Sequence, residues 1–392
     1  MTMPVEADTS FESEFTAAVD GLRAALLHAV QTAGASVERP HEIGRRFELD
    51  KNLAWKVARL ISAPDPVRSL RFVPGHSGLR ILATRMGDLT GEPCATELRT
   101  AIDAFQALTE RHAGDRTSLE LLALGLPIDP PAQGLVEGTR RQAFHGNSAI
   151  LGCQASAQVA LWVCLPSASG GGIEVVEVGG LFGYRRLRRP VRALVFRFDE
   201  DAAQVEPFDA EDQPGGLPLL RSFTSLAQLP ELGRAGSAPR RRYAIGPGPV
   251  GATASLDCAY GVRRALGTVG SSGAHEGLSL PLCTPVDTLA VGLLVDCRLG
   301  WGAEAEPRLL RQGLRCIEDS AENERQLPLE RELEPVASLE ATPEDTPHDP
   351  LAKLARFTLE RLGRNGRDFE ARRLDLAWPP IPATLQIRPA GR

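Results

Sequence analysis

Apolar residues recur along the first third of the chain at the spacing of a helix. Phe11, Phe15, Ala18, Val19, Leu22, Leu26 and Val30 fall near i, i+3/4 and i+7, which predicts an amphipathic helix over residues 11–33, ended by Gly34. Two shorter helices are expected over 41–47 and 51–61, separated by Glu48-Leu49-Asp50. Pro64-Asp65-Pro66 stops the second, because proline lacks the amide donor and clashes with the preceding turn. Leu98, Ile102, Phe105 and Leu108 share one face of a helix expected over 94–112. Gly114 breaks it, and Asp115 is placed to cap a short helix over 118–124.

From about residue 140 the pattern changes to strand-like runs at 149–165, 173–178, 191–198 and 288–297, bounded by glycine, proline and acidic turns. A helix at 350–362, a strand near 372–378 and an extended Trp378-Pro379-Pro380-Ile381-Pro382 tail are expected to close the chain. The 392 residues suit two or three domains. The predicted fold class is α+β, a helical helix-turn-helix-type domain followed by a strand-rich α+β domain. The boundaries read as a disordered start (1–10), the helical domain (11–126) and a linker around Pro127-Ile128-Asp129-Pro130-Pro131 (127–138). A strand-rich domain (139–317), an acidic connector (318–349) and the closing segment (350–392) follow. The connector holds 11 acidic residues against two arginines, which marks it as a solvated stretch.

Residues 40–61 carry the most specific signal. Two helices meeting at a tight turn need apolar side chains at their interface, and Ile43, Phe47, Leu49, Leu53 and Val57 supply them. Gly44 and Ala54 are small enough for close approach, and Asp50 is a plausible N-cap. The outward positions of the second helix are then Lys51, Asn52, Trp55, Lys56 and Arg59, with Arg45 and Arg46 on the first. Lysine and arginine neutralise phosphate, asparagine can pair with an adenine edge, and arginine with guanine. The run Glu42–Val57 resembles the helix-turn-helix of bacterial transcription regulators. That resemblance covers about 22 residues and implies DNA contact through Arg45, Arg46, Lys51, Asn52, Trp55, Lys56 and Arg59. It departs from the pattern at Glu48, where glycine is usual, and at Trp55, an unusual residue to expose. Residues 70–82 admit two readings, a wing-like hairpin around Pro74-Gly75-His76-Ser77-Gly78 that brings Arg71 and Arg80 towards the backbone, or a loop leading into a helix over 79–86. The whole chain also resembles a group of bacterial proteins that pair such an N-terminal region with a long strand-rich part. The stretches carrying this are Leu53-Ala54-Trp55-Lys56, His112-Ala113-Gly114-Asp115-Arg116, Gly248-Pro249-Val250-Gly251 and Pro379-Pro380-Ile381-Pro382. It implies no activity.

Charge tempers this picture. The formal net charge is -6, so the chain as a whole does not attract polyanions, and residues 37–62 hold six basic against four acidic side chains. Lysine occurs only at Lys51, Lys56 and Lys353, and the remaining 41 of 44 basic residues are arginine. Arginine clusters are therefore weak signals here, and two lysines in one short helix stand out. Two such clusters, Arg185, Arg186, Arg188, Arg189 with Arg192, and Arg240, Arg241, Arg242, read as solvated strand ends or a phosphate-binding patch.

Other chemistry is thin. Gly246-Pro247-Gly248-Pro249-Val250-Gly251 matches Gly-x-Gly-x-x-Gly, but the prolines remove amides that a pyrophosphate would need, so a turn is expected. His112 with Asp115 and Arg116, His145 near Asn147 and Ser148, and His275 with Glu276 lack a nucleophile or metal partner at a recognisable spacing. The cysteines Cys94, Cys153, Cys164, Cys258, Cys283, Cys297 and Cys316 are scattered, without Cys-x-x-Cys, and are expected to be buried thiols. With no nucleophile elbow, Walker A or His-Glu-x-x-His motif, no enzyme, metal or cofactor is expected. No apolar run reaches the roughly 18 residues of a membrane span, and the first residues lack the pattern of a signal peptide, so a cytoplasmic location is expected. The resulting expectation is a DNA-binding transcriptional regulator whose C-terminal domain senses a ligand or holds a dimer. Its partners would be double-stranded DNA and a second copy of the chain. The alternative is a structural or scaffolding protein that turns the same helices towards a protein partner.

Overall fold

The computed structural model describes residues 7–126, 133–167, 172–191, 193–198, 205–209, 218–225, 232–235, 241–266, 278–312, 325–329, 331–341 and 349–389. The chain divides into two compact units, Met1–Val136 and Glu137–Arg392, the first helical and the second rich in strands, an α+β protein.

The helical unit contains α1 (Ala7–Thr32), α2 (Pro40–Arg46), α3 (Lys51–Ser62), α4 (Pro66–Leu70), α5 (His76–Thr90), α6 (Glu92–His112) and α7 (Arg116–Leu124). The apolar stripe of α1, from Phe15 through Val19, Leu22 and Leu26 to Val30, is fully buried. It shares one core with Leu98, Ile102, Phe105 and Leu108 of α6. Arg23 of α1 reaches across to donate to the carbonyls of Ile61 (3.3 Å) and Ala63, satisfying oxygens left open at the end of α3. Asp115 caps α7 as expected, accepting from the Thr117 and Ser118 amides at 2.8 and 3.0 Å. The Ser118 hydroxyl also donates to it (2.7 Å) and lowers its pKa.

One of the two readings of residues 70–82 is overturned. There is no hairpin, because α5 starts at His76 with Gly75 extended before it. Leu79, Leu82 and Met86, at i, i+3 and i+7, are buried, so the helical period outweighs the turn-like Pro74-Gly75-His76-Ser77-Gly78 run.

The second unit begins with a helix where composition predicts a linker to residue 138 and a strand from residue 149. α8 (Gln133–Leu151) ends at Gly152, whose φ of +72° suits a residue without a Cβ. The strands are β1 (Cys153–Pro166), β2 (Ile173–Arg186), β3 (Ala193–Phe198), β4 (Val205–Pro207), β5 (Leu232–Ala235), β6 (Arg241–Ile245) and β7 (Leu256–Leu266). After them come β8 (Leu278–Leu282), β9 (Val286–Asp296), β10 (Ala305–Arg311), β11 (Gln326–Leu327), β12 (Glu334–Pro335), β13 (Phe369–Ala377) and β14 (Ala383–Pro389). They build a seven-stranded sheet in the order β12-β13-β9-β1-β2-β7-β4, a four-stranded sheet β11-β10-β14-β8 and a three-stranded sheet β3-β6-β5. β1 lies at the centre, parallel to β9 and antiparallel to β2.

That central strand is covered on both faces, which is why it reads as an unbroken apolar run. Ala160, Trp162 and Cys164 join a core with Leu280 of β8, Leu309 of β10 and Leu385 of β14. Val159, Leu161 and Val163 face the other way, onto Leu351, Leu354, Ala355 and Leu359 of α9 (Pro350–Leu362). The closing segment is thus integral to this unit. β13 pairs with β9 along its length, and the residues after the Pro-rich stretch form β14 between β10 and β8, correcting the expectation of an extended tail. Arg373 of β13 donates to Asp375 (2.6 and 3.0 Å) and to Asp349, which in turn caps α9 through the Leu351 amide (3.0 Å). Of the expected connector, residues 325–329, 331–341 and 349 are described and hold β11 and β12. Residues 318–324, 330 and 342–348 lie outside the described residues, as do 1–6 and 127–132.

Candidate nucleic-acid interface

The geometry at residues 40–62 follows from local chemistry. α2 ends at Phe47, and Glu48 takes a left-handed conformation with φ of +51°. The chain reverses there, letting the Leu49 amide donate back to the Gly44 carbonyl (2.9 Å), the closure typical of a helix C-terminus. A Cβ on Gly44 would lie 3.3 Å from the Ala54 Cβ, so the two helices touch where small residues stand. Ile43, Phe47, Leu49, Leu53 and Val57 are all buried. The Asp50 carboxylate accepts from the Asn52 and Leu53 amides at 2.8 and 3.0 Å and starts α3.

With Leu53, Ala54, Val57, Ala58 and Leu60 turned inward, the exposed side of α3 consists of Lys51, Asn52, Trp55, Lys56, Arg59 and Ser62. The helix contains three cations and no acidic residue. Arg45 and Arg46 at the end of α2 are exposed as well. Among the described residues none of Arg45, Arg46, Lys51, Lys56 and Arg59 makes an ion pair. The nearby acids are engaged elsewhere. Glu48 pairs with Arg85 of α5 (2.8 Å), and Glu42 accepts from Arg39 (3.0 Å), which lowers that carboxyl's pKa.

Trp55 is 45% exposed, yet it is not isolated. Its ring meets Phe72 edge-on at 5.6 Å. The Arg59 guanidinium lies over both rings, at 5.6 and 5.9 Å from their centroids, and Arg71 covers Phe72 at 4.6 Å. Stacking of this kind leaves the N–H edge of a guanidinium free to donate. Arg71 therefore joins the cationic surface of α3 through the aromatic pair, and no hairpin wing is involved. Sequence reasoning placed Arg71 on a wing; the clue to its true position was the need of an exposed tryptophan for an aromatic neighbour.

The other candidates of the sequence resolve into structural roles. Arg186 is fully buried, donating to the Gly246 carbonyl at 3.1 Å through Nε and again through Nη2, with the Tyr184 ring 5.4 Å away. Gly246–Gly251 is the turn wrapped around it, and no helix of dinucleotide-binding type follows, only the three-residue 3-10 turn Ala252–Ala254. Arg188 donates to the carbonyls of Ala149 (2.8 Å) and Ile150 at the end of α8. Arg185 is half-buried and only Arg189 is a plainly solvated member, so the reading of this cluster as solvated strand ends fails for Arg186. Arg192 and Arg240, like His275, Glu276, Gly170 and Gly171, lie outside the described residues, and the side chains of Arg241 and Arg242 are likewise not described.

His112 is held by Glu14 (3.0 Å) and packs edge-on against Phe11, and exposed His145 sits against Phe144. Cys94, Cys153, Cys164 and Cys258 are buried, Cys283 is half-buried, Cys316 lies outside the described residues, and Cys297 is exposed, against expectation. Burial pushes the Cys164 and Cys258 thiols up to about 12, so neither is a thiolate near neutral pH. Among the described residues no helix is long and apolar enough to cross a membrane. Neither a family model, nor a curated protein, nor a solved structure matches the chain.

Proposed function

We propose that this protein binds double-stranded DNA through a helix-turn-helix formed by α2 and α3, as a transcriptional regulator. The observation that carries the reading is the exposed face of α3, where Lys51, Lys56 and Arg59 stand without ion-pair partners on a helix free of acidic residues. In this reading α3 enters the major groove. Lys51, Lys56, Arg45 and Arg46 neutralise phosphates, and Asn52 and Arg59 reach base edges. The few cations of one such surface give modest affinity, so the reading includes a homodimer that engages two half-sites. It also entails a cytoplasmic location.

Fluorescence anisotropy with mixed-sequence duplex DNA at several salt concentrations tests it. Wild-type affinity should fall steeply with salt. Replacing Lys51, Lys56 and Arg59 together by alanine should make the log–log salt slope shallower by about 2.7, from roughly 0.9 per lost phosphate contact. An unchanged slope refutes the reading.

The exposed Trp55–Phe72 ridge favours a second reading, in which the same face docks another protein in a scaffolding role. Retention of one stoichiometric protein partner, with no DNA retained, would support it over the first.

A further inference from the structure

We propose that the second unit binds a free α-amino acid with an apolar side chain in the cleft between α9, the end of β2 and the start of β7. This goes beyond the DNA-binding reading and does not rest on it. The cleft measures about 510 Å³ and is lined by Phe182, Ser222, Phe223, Thr224, Ser225, Asp257, Pro350 and Lys353. That volume is within the range of small-molecule sites, roughly 300–1,000 Å³.

Its two charged groups are opposite in sign and not paired with each other. Asp257 is half-buried and firmly oriented. Its backbone amide donates to the Ser225 hydroxyl (3.0 Å), its carbonyl accepts from the Ser225 amide (2.9 Å), and its Oδ1 accepts from the Gly183 amide (2.7 Å). Gly183, at φ +63°, sits in the bulge between Leu181 and Tyr184 that aims this amide at the carboxylate. Asp257 Oδ2 is left for a ligand. Lys353, in the first turn of α9 and one of only three lysines in the chain, is exposed and has no acidic partner among the described residues. Ser222 is exposed beside them. The apolar wall is rigid, since Phe182 is buried and Phe223 packs edge-on against Phe357 (5.3 Å), which also meets Phe208 (6.5 Å).

A cation and an anion held apart across one small cleft, with aromatic walls, match a zwitterion carrying an apolar group. The ligand carboxylate meets Lys353, its ammonium meets Asp257, and its side chain lies against Phe182 and Phe223. Isothermal titration calorimetry of the full chain with L-leucine and L-phenylalanine tests this. Saturable binding of at least one is expected. 3-Methylbutan-1-amine and 4-methylpentanoate, which lack the carboxylate and the ammonium of leucine, should bind at least tenfold more weakly, as should the amino acid to Lys353→Met and to Asp257→Asn. Asparagine keeps the acceptor for Gly183; should that variant fail to fold, the deaminated analogue probes the same contact. No binding of either amino acid at about 10 mM, a concentration that reaches even millimolar affinities, overturns the proposal. So does wild-type affinity in a folded variant at either position.

Discussion

The exposed face of α3 and the interior of the strand-rich unit both carry cations, but only the second set is enclosed or neutralised. Arg186 is buried against the Gly246 carbonyl, Arg264 lies 3.6 Å from Glu177, Arg364 is bound to Asp296, and Arg373 holds Asp349 and Asp375. Each spends its hydrogen bonds inside its own unit. Lys51, Lys56 and Arg59 have none of these partners, although they occupy a helix whose other face is as tightly packed as any in the chain. In a chain with 41 arginines, cation count therefore says little about binding. The absence of nearby acids, and the side of the element a cation occupies, say much more.

The comparison breaks if the two sets respond alike to mutation. Arg186→Ala strips the Gly246 carbonyl of its donor and leaves a void under Gly248, whose Cα carries an added Cβ to only 3.0 Å from the guanidinium. A loss of about 3 kcal/mol in urea unfolding is expected, with DNA affinity unaltered. The triple alanine variant of α3 should do the reverse. Its unfolding midpoint should stay within about 0.5 kcal/mol of wild type, since the side chains removed are exposed. Its DNA affinity at low salt should fall on the order of a hundredfold. A triple variant that melts early would mean the cations hold the fold after all.

Asp296 sharpens the contrast by adding pH. It is 1% exposed and accepts from Arg298 at 2.8 and 2.7 Å and from Arg364 at 2.7 Å. Hydrogen bonding from Arg298, with a further contribution from Arg364, holds its carboxyl far below the usual carboxylate range. A group whose folded pKa is depressed adds stability that is fully present above its unfolded pKa of about 4 and is lost as pH falls towards the folded value. Asp296→Asn should thus lose about 2 kcal/mol at pH 7, measured by thermal or urea melts, and the gap to wild type should close between about pH 4 and pH 2. A gap independent of pH would show that packing, not charge, is at stake there.

The helical unit was more legible than the sheets, for a physical reason. α1, α2, α3 and α6 each expose one face, so their apolar period is visible in the chain, and the interface residues from Ile43 to Val57 fell where that period put them. α5 was left undecided because Pro74-Gly75-His76-Ser77-Gly78 mimics a turn, while Leu79, Leu82 and Met86 carried the helical period just beyond it. α8 has a weak stripe and was read as linker and strand. β14 was hidden behind prolines, although Ala383, Leu385 and Ile387 alternate with Thr384, Gln386 and Arg388. The Asp257–Lys353 cleft had no local signature at all, because a bulge in β2 and the docking of α9 bring its walls together from distant parts of the chain.

The smallest effect concerns the turn itself. Glu48 occupies a left-handed position that costs a residue with a Cβ on the order of 1 kcal/mol, a strain glycine does not bear. Its ion pair with Arg85 is exposed at both ends and offsets little of that. Glu48→Gly should therefore raise the stability of the helical unit by about 0.5 kcal/mol, the strain relief being reduced by the added freedom of glycine in the unfolded chain. It should also strengthen DNA binding slightly, because a negative charge leaves the rim of the cationic face and Arg85 is released. If the variant gains stability but loses DNA affinity, the orientation of α3 depends on the Glu48–Arg85 contact rather than on the packing of Gly44 against Ala54. The recognition surface would then be set by polar contacts at its edge, and the sharp division between structural and unpaired cations would no longer hold for α5.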